Sequence, residues 1–326
     1  MSDQRWSAWD LAEAFHLAHA ADYLAATDVL DDTESSADAI STRAAVDPIL
    51  MAGLLNFLAD RTDIVVRGDR GFRRGPGLNR PGRAVIDQYL GAYGPNACSL
   101  STIMVDASSG RAAVNRQRHA RAYTEVSGPG EALLPDIVQK LGLDAILDLG
   151  CGAGGLLIEM ARRDKTFRGT GIDANADMIR IAEQRRRSSD IGQHAVEFIV
   201  GDVSDPSTAI PEAVLQHTKT VVAANLLNEF FMAGGQSVVA WLQSLRGVLP
   251  DAILVVADYY GVLGHGHNPP RYRALHDWIQ LVSSQGIPPP DLAQWEALYR
   301  EAGCCLAHSI EDRRAGIFVH LVRLTE

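Results

Sequence analysis

The fold is decided by the stretch AILDLGCGAGGLLIEMARR, residues 145–163. Its first five residues are typical of a buried strand, and a helix is predicted from Leu156 to Arg163. The glycines between them have the spacing G-x-G-x-x-G, which lets the backbone turn sharply and lets a ligand lie against it. From Ala145 onward, short apolar strands alternate with helices, as in a parallel sheet with helical crossovers. The stretch therefore predicts a doubly wound α/β domain with a cofactor site at its glycines.

Three acidic residues near the ends of successive strands help to identify the cofactor. Asp148 lies two residues before the first glycine. A carboxylate there would repel a pyrophosphate, but it can contact a positively charged amino-acid group, directly or through water. Asp173 ends the next strand, where it can accept hydrogen bonds from ribose hydroxyls, although NAD-binding folds place an acid similarly. Asp202 follows the strand after that and suits the exocyclic amine of adenine. Helix capping is the alternative role for Asp148 and Asp173.

Taken in order, these segments resemble the motifs that bind S-adenosylmethionine (SAM) in class I methyltransferases. The matching segments are Ile-Leu-Asp-Leu-Gly-Cys-Gly-Ala-Gly at 146–154, Gly-Ile-Asp at 171–173 and Gly-Asp-Val at 201–203. The resemblance implies a Rossmann-like, seven-stranded sheet with a reversed last strand in a domain at 141–326. It also implies S-adenosyl-L-methionine as the cofactor. The residues expected to hold it are Asp148, Gly150, Gly152, Gly154, Asp173, Asp202 and Asn225.

The reaction site is expected after the fourth and fifth strands, because ligands of open α/β sheets lie at the carboxyl ends of strands. The fourth strand, 220–224, is followed by Asn225, Asn228 and Glu229. The fifth, 252–257, is followed by Tyr259, by a loop with His265 and His267, and by a helix at 272–284. We expect His276 or Glu229 to act as a base if the accepting atom carries a proton. The residues expected to bind the substrate are Asn228, Tyr259, His265, Asp106 and Arg116. Each histidine could instead be a satisfied loop or core residue.

Two methyltransferase branches are similar on the reaction side. Plant-type O-methyltransferases place a catalytic histidine after the fifth strand, but no histidine here lies in that local motif. A closer resemblance is to the α-keto-acid C-methyltransferases of antibiotic biosynthesis, which bind a metal through a His-Glu pair and a further histidine. Glu229 and His276 match that pattern, whereas Asn228 replaces the first histidine. Since one histidine and a carboxamide should bind a transition metal poorly, no metal is expected.

The leading hypothesis is a SAM-dependent methyltransferase that acts on a small intermediate of secondary metabolism. The departure at Asn228 opens a second hypothesis, an enzyme that keeps the SAM fold but catalyses cyclisation or elimination. The aziridine-forming relative of azinomycin biosynthesis is such an enzyme, and a partner subunit would be compatible with this reading. An acidic base and an anion pocket would serve that reaction. They could come from Asp106, Glu125, Glu229, Arg111, Arg116 and Arg118, although this polar stretch could also be a solvated helix.

Residues 1–82 are predicted as three helices and a short β-hairpin, a winged-helix pattern similar to the dimerisation domain of O-methyltransferase-like enzymes. The third helix starts at Asp47-Pro48, with a buried face formed by Ile49, Leu50, Gly53, Leu54, Phe57 and Leu58. A helix that reads DNA needs exposed polar and basic residues, and this one offers only Asn56 and Asp60. Residues 83–140 are predicted as a helical connector or lid. We expect a homodimer, or a complex with a small pathway partner; a SAM-sensing regulator is a third hypothesis.

Composition excludes several classes of protein. The 326 residues are 47% hydrophobic and 21% charged, which is ordinary for a globular protein, and the net charge of −10 argues against a nucleic-acid partner. The four cysteines lack zinc-site spacing and are interpreted as reduced thiols. No apolar run reaches the roughly 18 residues of a membrane span. The sequence therefore predicts a cytoplasmic enzyme with a small-molecule substrate.

Overall fold

The computed structural model describes residues 6–125, 129–265 and 271–325, without the side chains of 123–125, 129–132 and 271. The chain divides into two compact units. The first comprises Met1–Pro95 and Gln117–Val126, and the second comprises Asn96–Arg116 and Ser127–Glu326. Residues 83–140, predicted as a connector, contribute to both units.

The first unit consists of helices and one β-hairpin. Its elements are α1 (Ala8–Thr27), α2 (Ala37–Ala44), α3 (Pro48–Arg61), β1 (Val65–Gly68), β2 (Gly71–Arg74), a 3-10 turn (Pro76–Leu78), α4 (Arg80–Ile86) and a π-helical turn (Asp87–Ala92). The predicted start of α3 is confirmed, since the Asp47 carboxylate accepts hydrogen bonds from the N–H groups of Ile49 and Leu50. Strands β1 and β2 pair antiparallel.

The predicted buried face of α3 is confirmed at Leu58 and partly at Leu54, which packs against the core, but it is wrong at the other positions. Met51, Leu55 and Leu58 are buried, whereas Ile49 and Leu50 are 80% and 73% exposed. Apolar residues surround most of this helix, so its pattern does not specify one face. The contacts of α3 with α1, α2 and β1 select the face that becomes core.

The second unit is built on a seven-stranded sheet. Its strands are β3 (Ile146–Leu149), β4 (Gly169–Asp173), β5 (Val196–Val200), β6 (Thr220–Ala224), β7 (Ile253–Tyr259), β8 (Cys305–Asp312) and β9 (Ile317–Arg323). Its helices are α6 (Leu100–Ile103), α7 (Ser109–Ala113), α9 (Pro129–Lys140), α10 (Gly155–Arg163), α11 (Ala176–Ser188), α12 (Pro206–Ala209), α13 (Glu212–Leu215), a 3-10 helix (Leu227–Ala233), α14 (Gly235–Val248), α15 (Arg271–Val282) and α16 (Leu292–Glu301). Helices α5 (Gly94–Cys98) and α8 (Arg116–Glu125) each contain a boundary between the units.

The predicted sheet topology is confirmed. The strand order is β5-β4-β3-β6-β7-β9-β8; β9 is antiparallel to both neighbours, and the other strands pair in parallel. Buried apolar clusters cover both faces of the sheet. The chain runs outward from β3 in one direction and from β6 in the other, so the carboxyl ends of these two strands form the switch point where ligands of such sheets bind.

Strand β7 is longer than the sequence predicts. Asp258 and Tyr259, expected to follow this strand, pair with Phe318 and Ile317 of β9. The antiparallel neighbour supplies hydrogen-bond partners to the end of β7, which is why polar Asp258 stays within a strand and becomes buried.

Within residues 6–125, 129–265 and 271–325, no single helix has the length and apolar character of a membrane span, whereas α2 and α3, bent by 118° at the break between them, meet those criteria only as a pair.

Candidate active site

The glycine loop follows β3 and is fixed to the end of β4. Gly150, Gly152 and Gly154 have φ angles of 72°, 52° and 72°, in the left-handed region that favours glycine. A Cβ atom on Gly154 would lie 2.4 Å from the Phe198 ring, so this glycine allows close packing against β5. A Cβ on Gly152 would meet only the Met178 methyl group, at 3.4 Å. The loop therefore leaves room beside Gly152.

Asp173 ties the glycine loop to β4. One carboxylate oxygen accepts a hydrogen bond from the Gly152 N–H at 2.9 Å, and the other accepts one from the Asn175 N–H at 2.8 Å. Asn175 caps α11, and Gly154 occupies the cap position of α10. Neither Asp148 nor Asp173 is therefore the N-cap of the helix that follows its strand.

The other two predicted cofactor acids differ in exposure. Asp148 is buried in β3 at 4% exposure. Burial raises the pKa of the neighbouring Cys151 thiol, and the charges of Asp148 and Asp173 raise it further. Asp202 is exposed after β5, and hydrogen bonds from Ser204 lower its pKa, with a smaller effect from the charge of Arg111. Three acidic residues, Asp148, Asp173 and Asp202, thus lie at the strand ends near the glycine loop.

Glu229 lies in the 3-10 helix after β6, beside this group of acids. Its Oε2 accepts a hydrogen bond from Nη1 of Arg111 at 3.0 Å, and its Oε1 lies 3.5 Å from Nε2 of Gln285. Burial raises the pKa of Glu229, the charges of Arg111 and Arg116 lower it, and the charge of Asp173 raises it. Strands β4 and β6 both pair in parallel with β3, so the carboxylates that end or follow them lie at the same edge of the sheet.

Asn228 is buried in a chain of carboxamides. Its Nδ2 donates to Oε1 of Gln285 at 3.1 Å and lies 3.5 Å from Oε1 of Gln280. Nε2 of Gln280 lies 3.4 Å from Nε2 of His276. Through Gln285, the same chain reaches Glu229. The two candidate bases are thus joined by a continuous series of polar side chains.

His276 packs edge-on against Tyr259, with ring centroids 4.7 Å apart. Burial lowers the pKa of His276, which keeps its imidazole neutral near pH 7. Tyr259 is 7% exposed in β7, so this ring pair lies in the interior at the end of that strand.

Asp258 lies beneath Asn228 with its carboxylate buried at 3% exposure. It accepts hydrogen bonds from the backbone N–H groups of Asn228, at 3.1 Å, and Tyr259, at 2.9 Å. Burial raises the pKa of Asp258 to about 7, despite these hydrogen bonds, and the charge of Glu229 adds to the rise. The buried carboxyl group of Asp258 therefore holds the backbone of Asn228 in place through a hydrogen bond.

We expect Asp258 to make the protein less stable as the pH rises. Its folded pKa of about 7 exceeds the ordinary value of 3.8, so the folded state holds the proton more tightly than the unfolded state does. Relative to the Asp258→Asn variant, the wild type should lose free energy of unfolding between pH 4 and 7, by up to about 4 kcal/mol. Urea unfolding of both proteins across this range measures the difference. A constant difference would contradict the raised pKa.

Several other residues considered for the cofactor, the substrate or an anion pocket are exposed or pair elsewhere. Asp106 is exposed and accepts hydrogen bonds from Ser108. His265 is exposed, as is Asn225, which directly follows β6 with φ 50°. Arg118 pairs with Asp22 and Asp87 inside the first unit. His267 and the side chain of Glu125 lie outside the described residues. In the described ranges, no group of three or more His, Cys, Asp or Glu side chains could hold a metal ion.

Sequence reasoning missed Asp258 and Gln280 as members of the site. Asp258 looks like the polar end of a buried strand, and Gln280 like an ordinary polar helix residue. Gln280 does lie four residues after His276, which places both side chains on one face of α15. That spacing is the signal that could have found Gln280.

Known proteins resemble this chain in sequence over one segment and in fold over almost its whole length. Residues 142–300 match a family described as a methyltransferase domain. One curated relative, "Probable cobalt-precorrin-6B C(15)-methyltransferase (decarboxylating)" of Methanobrevibacter smithii, is 37% identical over 79 residues, which are 23% of this chain and 41% of the relative. The aligned part thus spans less than half of that protein.

Solved structures resemble the chain over almost its whole length. The mitomycin 7-O-methyltransferase MmcR has a TM-score of 0.72 and 16% identity, with 96% of each chain covered. CalO1, a methyltransferase of calicheamicin biosynthesis solved with SAH bound, has a TM-score of 0.63 and 19% identity, also with 96% of each chain covered. Human N-acetylserotonin methyltransferase, solved with SAM, has a TM-score of 0.69 and 14% identity over 100% of both chains. Residues 142–300 therefore resemble a methyltransferase domain, and the whole chain has the fold of these solved structures.

Proposed function

We propose that this protein is a SAM-dependent methyltransferase that acts on a small molecule of secondary metabolism. The proposal depends chiefly on one observation: Glu229 follows β6 at the same sheet edge as Asp173, which ends β4 and is fixed to the glycine loop. A proton acceptor would then lie beside the predicted cofactor site. The matches to methyltransferases of mitomycin and calicheamicin biosynthesis support the substrate class.

The glycine loop and its acids fit S-adenosyl-L-methionine. The space beside Gly152 admits a ligand close to the backbone, and the Asp173 carboxylate beside it can accept hydrogen bonds from ribose hydroxyls. Asp202 would accept from the adenine amine, and Asp148 would attract the positive amino group. When bound, the cofactor supplies a methyl group on a sulfonium, which is a good leaving group.

Glu229 is the base that we favour. It lies near the cofactor acids, and Arg111 and Gln285 hold its two oxygens. His276 is the second candidate; its Nε2 faces Gln280 inside the carboxamide chain. The protein would also align the acceptor with the methyl group, an effect that contributes roughly 7–11 kcal/mol in well-oriented reactions. Asn228 and Tyr259 would form the wall against which the acceptor is aligned.

Homodimerisation remains a prediction. In the first unit, Trp9, Ile49 and Leu50 are 85%, 80% and 73% exposed. Exposed apolar groups of this size are typical of protein interfaces, so a partner subunit would be expected to cover them.

Isothermal titration calorimetry with SAM, S-adenosylhomocysteine (SAH) and NAD tests the cofactor. We expect SAM and SAH to bind with one site per chain, and NAD to give no heat, because Asp148 repels its pyrophosphate. Failure of both SAM and SAH to bind would refute the proposed function. With an acceptor in hand, one SAH released per product would establish methyl transfer. Turnover without SAH would instead indicate the cyclising reaction.

A further inference from the structure

We propose that the acceptor is a small organic acid whose anionic group is bound by Arg111 and Arg116, and that its binding draws Arg111 away from Glu229. This inference rests on the proposed function, whose reaction site it shares. The acceptor would thus be an organic acid, and its binding to the arginines would free the Glu229 carboxylate from its contact with Arg111.

Arg116 is half-buried, and its charge, like that of Arg111, lowers the pKa of Glu229. Within the ranges that the structure describes, it makes no ion pair or hydrogen bond. Partial burial of a guanidinium without a partner costs desolvation free energy. A bound anion would offset this cost by pairing with the charge.

Arg111 is the second cation, and most of its hydrogen-bond donors are not engaged by Glu229. Its side chain is 49% exposed while it contacts Glu229, whose side chain is 25% exposed. A guanidinium offers five donors, so the single contact of 3.0 Å to Glu229 leaves several available. Arg111 also influences Asp202 through its charge, which places it on the side of the predicted cofactor acids. Without dedicated cations, the acids gathered here would repel an anionic acceptor.

The segment that carries both arginines is fastened to the end of α15. Nδ2 of Asn96 donates to the carbonyl oxygens of Gly110, at 2.7 Å, and Val282, at 3.0 Å. The Arg111 N–H donates to Oγ of Ser284 at 3.2 Å, and that hydroxyl donates to the Ala107 carbonyl. The backbone of Arg111 is thus fixed, and its long side chain can change partners without movement of the segment.

Loss of the Arg111 contact would make Glu229 a stronger base. Among the described residues, the charges of Arg111 and Arg116 lower the pKa of Glu229 and that of Asp173 raises it, and the charge of Glu229 raises the pKa of Asp258. Once a bound anion neutralises the arginines, burial and Asp173 would raise the pKa of Glu229 further. Gln285 would still hold Oε1, so the carboxylate would keep its place.

Arginine side-chain NMR on SAH-saturated protein tests the anion site. Acetate and benzoate are titrated at constant ionic strength, each against its neutral amide. We expect saturable shifts of the Arg111 and Arg116 Nε–Hε signals with the acids only, and at least fivefold weaker binding of the acids in Arg116→Gln. The control is Arg187→Gln, an arginine that is 75% exposed on α11. Equal responses to acids and amides, or unchanged acid affinity in Arg116→Gln, would overturn the proposal.

The movement of Arg111 from Glu229 to the bound acid is tested by the pH dependence of acid binding. Anion binding that raises the proton affinity of Glu229 must strengthen as the pH falls from 7.5 to 5.5. We expect this dependence to persist in Asp258→Asn and to vanish in Glu229→Gln, which should bind acids more tightly at pH 7.5 because Arg111 is already free. Weaker acid binding in Glu229→Gln would refute the exchange. SAH binding without acid binding overturns this inference alone, whereas absent SAH binding refutes the proposed function itself.

Discussion

Replacing Glu229 by glutamine is expected to lower kcat by about 10²- to 10⁴-fold, the range that a positioned general base contributes. Glutamine keeps the size of the side chain and can still face Gln285, but it cannot take a proton from the acceptor. The affinity for SAH should change by less than about threefold, because the base contacts the acceptor rather than the cofactor. SAH release per enzyme under single-turnover conditions measures the effect, and calorimetry with SAH measures binding.

Two further variants make this result interpretable. Glu296→Gln, on α16, removes a carboxylate that is 48% exposed and should leave kcat unchanged. His276→Gln separates the two candidate bases. If Glu229→Gln keeps full activity and His276→Gln loses it, the base is His276. If both variants stay active, the accepting atom needs no base.

Replacing Asp173 by alanine should raise the Kd for SAM and SAH by at least about 100-fold. Hydrogen bonds to a charged acceptor contribute roughly 1.5–3 kcal/mol each, and the carboxylate has two oxygens for the ribose hydroxyls. The substitution also removes the acceptor of the Gly152 N–H, so the glycine loop loses its link to the end of β4. Calorimetry with SAH gives the affinity, and thermal unfolding shows whether the fold persists.

The matched control is Asp177→Ala, on the helix that follows Asp173. Asp177 is 61% exposed and pairs with Arg180, so its loss should leave SAH affinity within about twofold of the wild type. Asp173→Asn should fall between the two, because an amide oxygen can still accept one hydrogen bond. Affinity of Asp173→Ala close to that of the wild type would show that this carboxylate does not contact the cofactor.

The sequence predicted the part of the site that depends on local structure. The glycines at 150, 152 and 154 adopt left-handed conformations, and Asp148 and Asp173 lie near the ends of strands. Such features follow from residue type and short-range order, because a buried strand, a glycine turn and a helix are each encoded by neighbouring residues. The parallel sheet then brings the strand ends to one edge.

The sequence by itself thus determined the sheet, its switch point and the predicted cofactor side, whereas tertiary structure decided what surrounds the base. Arg111 and Glu229 are 118 positions apart, and Asn228 meets Gln285 across 57 positions; no local pattern encodes either contact. The raised pKa of Asp258 likewise depends on the strand beside β7 and on Glu229. The face of α3 that is buried was chosen by its neighbours. Burial, charge coupling and long-range hydrogen bonds arise only when distant segments pack together, which is why the chemistry of the base had to be read from the folded chain.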